Sequence, residues 1–156
     1  MTEKSREPAP RQRTIVPAAV GDTATLIARI AVGVVFVAHG LPKAADLSGT
    51  AERFAAIGIP FPTFNALLGA VIEVGGGLAL IIGLGLPLAG LALAFMMANA
   101  YYFAHLGDPL VGGYEFLLVL GATSLALGFA GGRYSLDSLL PWGRRGRSRA
   151  AEAVTA

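Results

Sequence analysis

The stretch Thr25-Leu-Ile-Ala-Arg29-Ile-Ala-Val-Gly33-Val-Val-Phe36-Val-Ala-His39-Gly40-Leu-Pro42-Lys43 decides how the chain folds. Apolar residues fill it almost without interruption, yet it holds Arg29 and ends in His39 and Lys43. Three further runs, near 63–84, 86–106 and 113–130, have the same apolar character. Each is long enough to cross a hydrocarbon core of about 30 Å at about 1.5 Å per residue. The sequence therefore predicts an all-α fold: a transmembrane four-helix bundle, with a short interfacial helix between the first and second spans.

Composition agrees. Of the 156 residues, 54% are hydrophobic and 14% are charged, where a soluble domain carries about 25% charge. Mean hydropathy is +0.64. A soluble bundle would need polar sequence to cover so large an apolar core, and too little is left. The absence of cysteine excludes disulfide shuttling, thiolate catalysis and cysteine-ligated zinc or iron–sulfur clusters within this chain.

Charge gathers at the two ends. Lys4, Arg6, Arg11 and Arg13 precede the first span, and Arg144, Arg145, Arg147 and Arg149 follow the last. The positive-inside rule then places both termini in the cytoplasm of a multi-pass cell-membrane protein, an arrangement that four spans satisfy. Beside four spans, these basic tails point to topology and anionic lipid rather than to nucleic acid. Residues 1–22, with Pro8, Pro10 and Pro17, read as a disordered tail rather than a cleavable signal. The folded membrane domain runs from 23 to 142, and a second basic tail occupies 143–156. Asp22 or Thr23 is the expected N-cap of the first span, and Gly40 with Pro42 its expected end.

Between Lys43 and Pro62, Ser48 or Thr50 is expected to cap a short helix that Gly58 ends. Its Phe54 and Ile57 would face membrane or bundle, with Glu52 and Arg53 toward water. Gly83-Leu84-Gly85-Leu86-Pro87 reads as a tight turn joining two antiparallel spans. Tyr101, Tyr102 and Phe103, and later Trp142, read as interfacial aromatics.

Ionisable groups in apolar spans are the first place to look for function, because each costs roughly 2.5–3.5 kcal/mol near the bilayer centre. Arg29, Gly33, Phe36 and Gly40 share one helical stripe, and Gly69, Glu73, Gly76 or Gly77, Leu80 and Gly83 share another. Both charged faces are thus expected to point into the bundle. Counted along the spans, Arg29 falls roughly 8 Å from the inner boundary, Glu73 near the midplane, and Asn99 roughly 20 Å from the inner boundary. These depths predict an Arg29–Glu73 ion pair with Asn99 as third member, serving as a structural clamp or as a proton or substrate site. A second polar layer is expected at the outer ends: His39, Lys43, His105, Asp108, Tyr114 and Glu115. Glu115 also has a plain explanation in helix polarity. Haem ligation by the two histidines lacks an attachment motif or suitable spacing. No metal motif, hydrolase triad, phosphate loop or dinucleotide fingerprint is present.

Five blocks, in order, resemble the DoxX family. They are Arg29…Gly33…Phe36…His39-Gly40-Leu41-Pro42-Lys43, Gly58-Ile59-Pro60, Glu73-x-x-Gly76-Gly77, Gly113-Tyr114-Glu115, and Gly132-Arg133-Tyr134-Ser135-Leu136-Asp137. Together they cover roughly residues 25–140. The family's usual Gly-Pro-Gly-Arg turn after the last span reads Ala130-Gly131-Gly132-Arg133 here, which implies a looser turn. The resemblance implies a four-helix integral membrane protein. It also implies kinship with proteins linked to quinone-dependent sulfur oxidation, quinol oxidation or oxidative-stress complexes.

Two functions compete on this reading. One is a quinone-linked redox subunit, in which His39 or Lys43 donates to a quinone carbonyl and Glu73 or Glu115 carries a proton. It needs a protein partner, since this chain alone carries no evident electron centre. The other is a non-enzymatic scaffold that recruits a partner or self-associates. A proton or small-solute pathway along Glu115, Asn99, Glu73 and Arg29 is a further alternative.

Overall fold

The structure, a computed structural model, describes residues 17–140. The disorder expected for residues 1–22 does not hold from Ala18 to Asp22, which form the first turns of the first helix. The first sixteen residues, the expected anchor at Trp142 and the basic C-terminal tail lie outside the described residues. Five α-helices follow in order: α1 (Ala18–Ala45), α2 (Leu47–Ala56), α3 (Pro62–Ile82), α4 (Leu86–Ala104) and α5 (Glu115–Ala130). Among the described residues, four segments are long and apolar enough to cross a membrane: α1, α3, α4, and α5 with the turn that leads into it. The fold is the expected all-α, four-span bundle.

The spans make two close pairs, α1 with α3 and α4 with α5, joined chiefly by α3 against α4. Glycine sets both contacts. A Cβ on Gly33 would stand 2.5 Å from the Gly77 carbonyl oxygen, and one on Gly77 would stand 2.7 Å from the Gly33 carbonyl oxygen. On the other pair, a Cβ on Gly90 would meet the Gly128 Cα at 2.7 Å. In lipid there is no hydrophobic drive between helices, so close backbone approach through small residues supplies the packing. Phe36, Leu80, Leu86, Leu93, Met97, Leu120 and Leu127 fill the core between the pairs. Leu88 and Phe95 on α4 and Phe129 on α5 are 75%, 62% and 67% exposed. Such an outer face suits hydrocarbon and not water.

The helix ends differ from expectation in three places. Pro17, not Asp22 or Thr23, precedes the first turn of α1, which begins at Ala18. Thr23 and Thr25 instead donate to carbonyls one turn back, Ala19 and Gly21. Gly40 and Pro42 do not end α1, which continues to Ala45. Proline removes one backbone hydrogen bond, a loss that spans tolerate where neighbouring helices support them. Asp46, not Ser48 or Thr50, caps α2: its carboxylate accepts from the Gly49 N–H at 2.9 Å, and Thr50 is buried. Gly58 lies just past α2 at φ +79°, as a helix-ending glycine should.

Prolines in the first turns of α3 and α4 suit positions whose N–H would have no helical partner. The α3–α4 turn uses Gly83 at φ 75° and Gly85 at φ 57°. Before α5, the turn Leu110–Tyr114 breaks at Val111 and at Gly112, where φ is +77°.

Candidate functional site

Arg29 and Glu73 are both buried, at 1% and 3% exposure, but they do not pair. Glu73 forms an ion pair with Lys43, and Arg29 donates through Nη2 to the backbone carbonyl of Tyr134. The register explains this. Gly40 packs against Glu73, whereas Arg29 packs against Gly83. Eleven residues separate Arg29 from Gly40, or about 16 Å along the helix.

Side-chain direction does the rest. On a helix, side chains tilt toward the N-terminus. Arg29 therefore points toward the start of α1, at the bundle end that holds the α3–α4 turn. Glu73, on the antiparallel α3, points toward the opposite end, where α2 lies. Lys43 tilts back toward the membrane interior and meets it. Because α1 continues through Pro42, Lys43 extends the buried stripe of Arg29, Gly33, Phe36 and Gly40 by one step.

Lys43 is 27% exposed at its side chain, and Glu73 4%. The lysine thus bridges a dry carboxylate and the surface. Glu73 Oε2 is buried with no hydrogen-bond partner among the described residues. Asn99 does not join the pair. Its side-chain amide donates to the Phe95 carbonyl at 2.9 Å within its own helix, where the apolar surroundings offer the amide nothing better.

The other polar residues at the α2 end divide into separate groups. His39 is exposed on α1, and its Nδ1–H donates to the Val35 carbonyl at 2.9 Å. Its ring lies 5.8 Å from that of Phe116 on α5, tilted by 32°. The Nδ1–H of His39 is thus engaged within its own helix. His105 pairs with Asp108 at 2.8 Å. Tyr114 packs edge-on to Tyr101, centroids 4.9 Å apart. The two tyrosines stand over an apolar groove of about 530 Å³ between α4 and α5, floored by Ala94, Ala98 and Gly121. Glu115 opens α5 and accepts from the Gly112 N–H at 3.2 Å, the plain role that helix polarity predicts. No hydrogen bond or ion pair among the described residues joins His105, Tyr114 or Glu115 to Lys43 or Glu73. No direct side-chain hydrogen bonds among the described residues link Glu115, Asn99, Glu73 and Arg29 in sequence.

A third cluster, at the other end, escaped residue-by-residue reading. After α5 the chain folds back over the α3–α4 turn. Asp137 accepts from the backbone N–H groups of Gly85 and Leu86, both at 2.9 Å, and so caps α4. Its own N–H donates to the Gly83 carbonyl at 2.9 Å. The Asp137 carboxylate also attracts Arg29 electrostatically. Its only signal in the sequence was the Gly132–Asp137 block, which no helical periodicity marks. Among the described residues no cluster of three or more metal-ligating side chains occurs.

The DoxX family model matches residues 24–106. "Putative oxidoreductase CatD" of Bacillus subtilis (strain 168) is 34% identical over 122 residues, covering 78% of this chain and 90% of that protein. "Inner membrane protein YqjF" of Escherichia coli (strain K12) is 32% identical over 123 residues, covering 76% and 93%. "Inner membrane protein YphA" of the same organism is 34% identical over 84 residues, covering 53% and 60%. No solved structure matches.

Proposed function

Because this chain belongs to the DoxX family of membrane proteins, we propose that it is the membrane subunit of a quinone-linked redox assembly, with Lys43 and Glu73 as the polar end of its ring-binding site. One observation carries this reading: the Lys43–Glu73 ion pair, buried on the Glu73 side, with Glu73 Oε2 unpartnered. A charged pair is expensive to keep in a span, and a carboxylate oxygen without a partner is a place to put a proton. Protonating Glu73 weakens its hold on the Lys43 ammonium. The lysine then becomes a donor for a ring oxygen arriving from the bilayer, while Glu73 carries the proton.

The oxidoreductase name of the Bacillus subtilis relative agrees in class. Electrons leaving or entering the ring would pass to a redox centre on a partner protein. Neither cysteine-held iron–sulfur nor thiol chemistry is available in this chain. The basic flanks support a topology with both termini in the cytoplasm, which would turn Lys43 and Glu73 toward the outer face. Since the chain has no cysteine, single cysteines at Ser48 and Ser138 test that orientation by labelling intact cells. Only the first should react.

Purification in native lipid, followed by mass spectrometry and an absorbance spectrum of what co-purifies, tests the function. A quinone retained by the natural chain and lost from Glu73→Gln supports it. Reproducible capture of a partner with no quinone favours the scaffold instead.

A further inference from the structure

We infer that the site around His39 reads the oxidation state of its ring ligand, taking the hydroxyl-bearing hydroquinone in preference to the quinone. This rests on the quinone reading above, and adds which form binds and which atom selects it. The selecting atom is His39 Nε2. A carbonyl oxygen can only accept, so the 2.9 Å contact with Val35 requires the hydrogen to sit on Nδ1. A neutral imidazole has one N–H, and Nε2 is left as a bare acceptor. It has no partner among the described residues, and it lies on the exposed face of a membrane span. Hydrocarbon supplies no water to satisfy it.

A donor that travels in the bilayer satisfies Nε2 without help from a second protein. A quinone offers only carbonyl acceptors, whereas a hydroquinone offers two O–H donors. The Phe116 ring, 5.8 Å from the imidazole, supplies an aromatic wall beside that acceptor. Lys43, one helical turn further along, could serve a quinone carbonyl only by giving up Glu73. Both groups in their resting arrangement thus favour the reduced ring: His39 accepts its hydroxyl, and the ammonium is already engaged.

The test is equilibrium binding of tetramethylbenzoquinone and its hydroquinone, without oxygen, to the full chain in lipid nanodiscs. The hydroquinone should bind about five- to tenfold more tightly, the size of one net hydrogen bond. His39→Phe keeps a ring beside Phe116 but removes the acceptor, and should bring the ratio to about one. His39→Gln, with a carbonyl oxygen, should restore part of it. Nitrogen-15 NMR of His39 should show the hydrogen on Nδ1. Equal or tighter quinone binding, an unchanged ratio in His39→Phe, or a hydrogen on Nε2 would each overturn the inference while leaving the quinone reading intact. Failure of both rings to bind would overturn the two together.

Discussion

Glu73 is held by Lys43, which lies three residues beyond the point where α1 touches it at Gly40. The lysine reaches inward and the glutamate outward, so each side chain follows its own helix direction to the meeting point. Removing one partner strands the other. We expect Lys43→Met to destabilise the bundle by about 3–5 kcal/mol, because a buried carboxylate is left uncompensated. Lys43→Met combined with Glu73→Gln should cost clearly less than Lys43→Met alone. Thermal unfolding in detergent distinguishes them; equal losses would show that the pair contributes nothing as a pair.

The α1–α3 contact makes a sharper prediction about glycine. Gly77→Val places a branched side chain where a Cβ alone would stand 2.7 Å from the Gly33 carbonyl oxygen. It should cost at least the 1–3 kcal/mol typical of overpacking. Gly75, two residues away, has nothing within 4 Å of its added Cβ. Gly75→Ala should be neutral or stabilising by up to about 1 kcal/mol, through helix propensity. If both variants behave alike, the helices do not meet at Gly33 and Gly77.

At the opposite end, Asp137→Ala removes the acceptor for the N–H groups of Leu86, which opens α4, and of Gly85 just before it. Loss of such a cap costs about 0.5–2 kcal/mol. Amide exchange should accelerate at Gly85 and Leu86 before it changes in the middle of α4, and Asp137→Asn should retain much of the protection. Unchanged exchange in Asp137→Ala would remove the cap from the account.

Asp46 gives a pH dependence. The Gly49 N–H, and then the Ser48 hydroxyl, hold its carboxyl below the ordinary 3.8. A group depressed in the folded state contributes its stabilisation fully above its unfolded pKa and loses it as pH falls through the folded value. The cap of α2 should therefore persist at pH 4 and release only below 3.8. The Gly49 amide shift, followed by NMR, should titrate with that midpoint and show no titration in Asp46→Ala. A midpoint above 3.8 contradicts the cap.

The sequence by itself determined the four crossings, the helix between the first two, and the burial of Arg29 and Glu73. Length, hydropathy and helical phase are local properties, and they survive into the folded chain unchanged. It could not determine which charges meet. Depth counted from the ends of apolar runs puts Arg29 and Glu73 within reach of each other, and taking Pro42 as a terminus leaves Lys43 outside the first span. The tertiary structure carried α1 through that proline and set Gly40 against Glu73. It also turned the Arg29 and Glu73 side chains toward opposite ends of the bundle. Nor could the sequence show that the segment after α5 returns to cap α4, since that contact joins Asp137 to Gly85 and Leu86 across about fifty residues. Pairing depends on the relative register of two helices and on the direction of each side chain, and only their packing fixes both.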